Sequence, residues 1–246
     1  MAKLKVPSLQ HLARNWRETP ERVQSKLIAL ANDPPQFSYD LLFAAVRDML
    51  VFGVPYEQVV DSIRRTEKRG WVRDILIEVM PLIGSHFAGM EPDSPPRRVA
   101  RRYYPLARDI MIPFEAPLEY RIGGQLYFPW FSFWRSNPLA NKPLSLFVTV
   151  VEEVLLQDPD LDTAIFQILD FSRPEGEEKR RLRIIGAHEI PRLDEREKRA
   201  MLEVFADGYR RARDELSESK TAKGERDEPR RPDLNQRDMF NPDADR

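Results

Sequence analysis

Five carboxylates, Glu152, Glu153, Asp162, Asp170 and Glu189, fall on or beside two runs with strand character, Thr163 to Phe171 and Leu182 to Ile185, and a preceding helix-like run. Carboxylates gathered at strand ends can hold a hard divalent cation and activate water, and Glu153 and Asp170 are the pair such a catalytic site would use first. A second group combines Arg97, Arg98, Arg101 and Arg102 with Tyr103 and Tyr104. Guanidinium groups beside exposed rings suit contact with phosphates and stacking on bases. The third group lies near the C-terminus, where Leu234, Met239 and Phe240 are the bulky apolar residues of a stretch otherwise made of charged, small polar and proline residues. An isolated Met-Phe pair in a solvated chain is an anchor waiting for a pocket.

Other chemistries are excluded by composition. The 246 residues contain no cysteine, which removes disulfides, thiol nucleophiles and cysteine-based metal sites together. His11, His86 and His188 are scattered without ligand spacing, no phosphate-cradling glycine loop occurs, and no metal or cofactor is expected. With 39 basic and 40 acidic residues the net charge is −1, so any DNA contact must come from a local patch or a partner. The longest apolar run, Leu144 to Val151, is soon broken by Glu152 and Glu153, and no signal core follows the first residues. The expectation is a cytoplasmic protein with no membrane partner.

The elements that must position these groups follow from apolar spacing. Residues 1–88 read as a helical region of five helices, marked by Leu9, Leu12 and Trp16, by Val23, Leu27 and Leu30 after Pro20, by Tyr39 to Phe52 behind Ser38, by Val59, Val60 and Ile63 after Pro55, and by Trp71 to Ile83. Residues 89–112, rich in proline and arginine, read as a connection, with at most a short helix. Gly123-Gly124 between Leu118 to Ile122 and Gln125 to Phe128 predicts a β-hairpin, because two consecutive glycines supply the positive φ angles of a tight turn. Its second arm crowds Tyr127, Phe128, Trp130, Phe131, Phe133 and Trp134 together, which predicts packing on both faces. A helix over Leu144 to Gln157, the two later strands and an amphipathic helix from Asp194 to Leu216 complete a ββ-α-ββ-α order over 113–216. The fold class is therefore α+β, with a small, mostly antiparallel sheet covered by helices. Residues 217–246 lack apolar periodicity and are expected to form a disordered tail.

Two resemblances bear on function. Gln236-Arg-Asp-Met-Phe240 is similar to the pentapeptide by which bacterial polymerases, mismatch-repair proteins and replication regulators bind the DNA sliding clamp. That pattern is Gln, a variable and often aliphatic residue, Ser or Asp, Leu or Met, then Leu or Phe; Arg237 stands at the variable position. The resemblance implies that Gln236 hydrogen-bonds at the rim of a clamp pocket, that Asp238 sets the turn, and that Met239 and Phe240 fill the cleft. The partners expected are the clamp and, through the arginine stretch, DNA. The carboxylates around the strands loosely resemble metal-dependent nucleases of the PD-(D/E)xK type, although Asp170 is followed by Phe171 and Ser172 and not by a Glu-x-Lys. Residues 41–80 also have the spacing of a helix-turn-helix, with Trp71 to Met80 as the helix that would enter the groove. Three readings follow: a non-enzymatic accessory protein of DNA replication, repair or mobile-element maintenance docked on the clamp, a nuclease-like DNA-processing enzyme, or an interaction protein unrelated to DNA.

Overall fold

A computed structural model describes residues 4–34, 38–136 and 139–227. The N-terminal part holds five helices, α1 (Leu9–Asn15), α2 (Pro20–Asn32), α3 (Asp40–Leu50), α4 (Tyr56–Thr66) and α5 (Gly70–Phe87). Thr19 caps α2, its side chain accepting from Arg22 N at 3.4 Å, and Pro20 takes the first helical position, where its missing N–H costs nothing. Gly70, which the sequence suggests as the end of α4, is the first residue of α5. The chain leaves α4 at Thr66 because the Glu67 carboxylate turns forward and accepts from Arg69 N at 2.8 Å.

The rest of the chain carries two sheets. Strands β1 (Arg102–Ala107) and β2 (Ile110–Phe114) form an antiparallel hairpin. This hairpin begins at Arg102 and takes up the second part of what reads from sequence as a connection over 89–112. Its signal was hidden because Pro105 and Pro113 interrupt both arms and only one face is apolar, through Ile110, Ile112 and Phe114. The second sheet has the order β3-β4-β5-β6, with β3 (Tyr120–Ile122), β4 (Gln125–Ser132), β5 (Ile165–Asp170) and β6 (Arg183–Gly186). The hairpin turn is at Gly123 and Gly124, with φ of 58° and 80°, as the glycine pair predicts. Helix α6 (Asn141–Leu156) crosses from β4 to β5, which lie parallel, while the two outer pairings are antiparallel. Helix α7 (Glu195–Asp227) runs past Leu216, where apolar periodicity stops. The remainder of the expected tail, with Gln236, Asp238, Met239 and Phe240, lies outside the described residues.

Both faces of the four-stranded sheet are covered. Along β4 the side chains of Leu126, Phe128 and Trp130 enter one apolar core with α1, α2, α6, α7 and β2. Phe131, Phe133 and the neighbouring Leu118, Tyr120, Leu169 and Phe171 enter a second core with α3, α4 and α5. The period of two sends alternate residues of one strand into different cores. Helix α5 turns Val72, Leu76, Val79, Met80 and Ile83 into that second core, so the helix that a helix-turn-helix reading sends into a DNA groove is committed to the sheet.

Helices α2 and α7 approach very closely at Gly208, where a Cβ atom would lie 2.6 Å from the carbonyl oxygen of Pro20 and 2.6 Å from the Val23 Cβ. Those neighbours are backbone and a branched side chain, so neither can swing aside. Helix propensity would reward alanine over glycine by about 1 kcal/mol, whereas overpacking a tight contact costs about 1–3 kcal/mol. Gly208→Ala is therefore expected to lower stability in urea unfolding despite its gain in propensity; a variant as stable as the parent or more so would show that the two helices can move apart freely.

Candidate functional site

The three candidate groups have different fates. The carboxylates do not converge. Glu153, on α6, points at α7, where Lys198 contacts it at 2.5 Å and Glu195 at 2.6 Å. Lys198 is 8% exposed in its side chain. Burial pulls its pKa down, but the bonds to Glu153 and Glu195 outweigh that and hold it above the ordinary lysine value. A lysine kept charged in this way fastens α7 to α6 and is a poor nucleophile. Glu152 pairs with Arg192, and Glu189 accepts from Gly186 N at 3.1 Å. Asp170, at the end of β5, accepts from Ser172 N at 3.2 Å and from the Ser172 hydroxyl at 3.1 Å, with Arg183 at 3.4 Å. Among the described residues no group of three His, Cys, Asp or Glu is placed to hold a metal ion.

Beyond Asp170, the carboxyl ends of the parallel strands β4 and β5 are closed by a buried charge. Arg180 is 2% exposed in its side chain and its Nη1 donates to the carbonyls of Phe133, Trp134 and Phe171 at 2.9–3.1 Å. Glu78 of α5 balances it at 3.4 Å and accepts from Arg173 at 3.0 Å on both oxygens. Carbonyls left over where strand pairing stops would each lose a hydrogen bond on burial, and one guanidinium satisfies three of them. The ends of a parallel pair are a common place for a ligand site. Here the strongest groups already have protein partners.

The arginine stretch is divided by β1. Arg101 turns to one side, donating to Glu115 at 2.9 and 3.0 Å, and Tyr103 is exposed beside it. Arg102, the next residue in the alternation, points the other way and donates to Asp158 at 2.7 Å. With Arg97, Arg98 and Arg121 it lines a cleft of about 540 Å³ between residues 94–102, the β3–β4 hairpin and the turn after α6. Glu119, Asp158 and Asp160 are the acidic groups of the same cleft. Arg101 and Tyr103, which sequence proximity groups with these arginines, thus lie outside the cleft, and Arg121 from β3 lies within it. Arg121 is brought in by the pairing of Arg97 with Glu119, an isolated bridge whose backbone bonds are 2.8 and 2.9 Å. Asp93 fixes the hairpin tip, its two carboxylate oxygens accepting from Gly123 N at 2.9 Å and Gly124 N at 2.7 Å. Its pKa is lowered by those two backbone bonds.

No family model matches this chain, and no curated protein matches its sequence. No helix among the described residues is long and apolar enough to cross a membrane.

The cleft depends on the β1–β2 hairpin staying in place, and Asp109 in its turn ties it to α7 through Arg210 at 2.9 Å and Arg213 at 3.1 Å. The bonds from Arg210 and Arg213 lower the Asp109 pKa to about 2. The folded value is below the unfolded one, so this contribution to stability is present above pH ~4 and is lost as the pH falls through about 2. A carbon-detected NMR titration is expected to show Asp109 ionising near pH 2, with Arg210→Ala plus Arg213→Ala raising its midpoint towards that of a free aspartate; a free-aspartate midpoint in the parent protein would mean that the hairpin is not tied there.

Proposed function

We propose that this protein is a non-enzymatic accessory factor of DNA replication, repair or mobile-element maintenance that docks on the bacterial DNA sliding clamp through Gln236, Asp238, Met239 and Phe240. The observation that carries the reading is the pentapeptide itself, whose Gln, Asp, Met and Phe occupy the four defining positions of the clamp-binding pattern. The architecture of the body is compatible with a separate docking segment. Among the described residues, the buried apolar side chains of both cores lie between Leu9 and Ala212. The body supports an adaptor better than a metal-dependent nuclease, because Glu152, Glu153 and Asp170 are engaged with Arg192, Lys198, Ser172 and Arg183.

Docking by such a peptide follows ordinary recognition physics. Met239 and Phe240 each bring an apolar side chain that gains about 1.5–3 kcal/mol on full burial, and Gln236 brings directional hydrogen bonds at the rim. Ordering the peptide on the clamp takes back part of that gain, so an affinity of roughly micromolar, about −8 kcal/mol, is the expected scale. A clamp that encircles DNA would let a weak second contact by the body raise the effective concentration.

The test is fluorescence anisotropy of a labelled peptide spanning Pro232 to Asp243 titrated with purified sliding clamp, beside the same peptide carrying Gln236→Ala, Met239→Ala and Phe240→Ala. Micromolar binding that the triple substitution weakens at least about 100-fold is expected, that being the loss of about 3 kcal/mol of anchor energy. Equal binding by both peptides, or none by the parent, would remove the reading.

A further inference from the structure

The arginine cleft between residues 94–102, the β3–β4 hairpin and the turn after α6 has features that the fold does not require. Among the described residues Arg97, Arg98 and Arg121 form no ion pair, although Glu119, Asp158 and Asp160 share the cleft with them. The one pair there, Arg102 to Asp158 at 2.7 Å, uses a terminal nitrogen of the guanidinium. The Nε of Arg102 is buried and has no hydrogen-bond partner. A guanidinium nitrogen can only donate, and a buried donor without an acceptor costs about 1–3 kcal/mol. Glu119 is half-buried among Arg97, Arg102 and Arg121 and makes no hydrogen bond through its carboxylate; burial pushes its pKa up against the pull of those arginines.

We infer that this cleft binds a phosphate ester, with Arg97, Arg98 and Arg121 reaching its exposed oxygens and the Arg102 guanidinium, paired with Asp158, lying beside them. The fork of a guanidinium matches phosphate oxygens, and four guanidinium groups around one concave site fit a tetrahedral anion better than a planar carboxylate. The same chemistry is offered by a DNA backbone and by a free nucleotide. The DNA source is the one expected here; that choice rests on the clamp reading, whereas the phosphate site does not. A second contact of this kind is also what a micromolar docking peptide needs for useful occupancy on a clamp that already surrounds DNA.

The experiment uses the full chain carrying Met239→Ala and Phe240→Ala, without clamp, so that the result is independent of docking. Anisotropy of a labelled DNA duplex is measured across salt concentrations for this protein, for the same protein with Arg97→Ala and Arg98→Ala, and for a control with Arg65→Ala and Lys68→Ala, an equal change of charge on exposed positions of α4 and the residues after it. The cleft variant is expected to bind more weakly, with a salt slope shallower by about two, one unit for each lost phosphate contact, while the control keeps the parent slope. In parallel, the Arg102 Nε–H resonance is followed by NMR on adding duplex, adenosine monophosphate or inorganic phosphate. A shift with duplex supports the site and the DNA source; a shift with the mononucleotide alone supports the site and assigns it to a small phosphate ester. Equal weakening of cleft and control variants, or an Arg102 signal that no phosphate species moves, would overturn the inference. Unchanged circular dichroism and melting temperature in both arginine variants, whose substituted side chains are exposed, exclude misfolding as the cause.

Discussion

From Phe128 to Ser132 strand β4 is buried on both faces, and much of the structure follows from that. Phe128 and Trp130 are 0% and 3% exposed on one side, and Phe131 is 1% exposed on the other. A strand with aromatic side chains on both faces needs an apolar layer above and below it. The chain supplies one from α3, α4 and α5 and the other from α1, α2, α6, α7 and the β1–β2 hairpin. Each buried aromatic side chain contributes about 1.5–3 kcal/mol, so neither layer can leave without exposing several such residues. The helical N-terminal region is thereby divided between two cores: α1 and α2 serve one and α3 to α5 serve the other.

That arrangement also fixes where polar groups can appear. At the carboxyl ends of β4 and β5, where pairing stops, a charge had to be buried to satisfy three carbonyls, and Arg180 with Glu78 does so. On the opposite side of the first core, Lys198 between Glu153 and Glu195 performs the same kind of fastening between helices. Both clusters have the residue types of an active site, and in both the opposite charges are paired within the protein, although the Nε of Arg173 beside Glu78 is buried without a hydrogen-bond partner. The arginine cleft differs in that Arg97, Arg98 and Arg121 form no ion pair among the described residues.

Much of the fold was legible in the sequence because its signals are local. The Gly123-Gly124 turn, the five N-terminal helices and the two-sided aromatic strand each rest on spacing or on a φ requirement that nearby residues decide. The β1–β2 hairpin was not legible, since prolines in both arms and a run of arginines mimic a linker; its apolar face means something only once α1 and α6 are seen to cover it. The site was legible in part. Arg97, Arg98 and Arg102 do share a cleft, but strand alternation sends Arg101 and Tyr103 away and a backbone pairing of distant segments brings Arg121 in. Glu153 and Asp170 are where sequence puts them along the chain, yet the partners that neutralise them, Lys198 and Arg183, come from elements no spacing rule connects to them.

The proposed recruitment to the sliding clamp by the pentapeptide is measured most directly as binding of the full chain to clamp loaded on circular DNA, followed by surface plasmon resonance against the same chain with Phe240→Ala. Saturable binding to the loaded clamp that the single substitution abolishes is expected. Binding that survives the loss of Phe240, or a parent chain that does not associate with the loaded clamp, would contradict it.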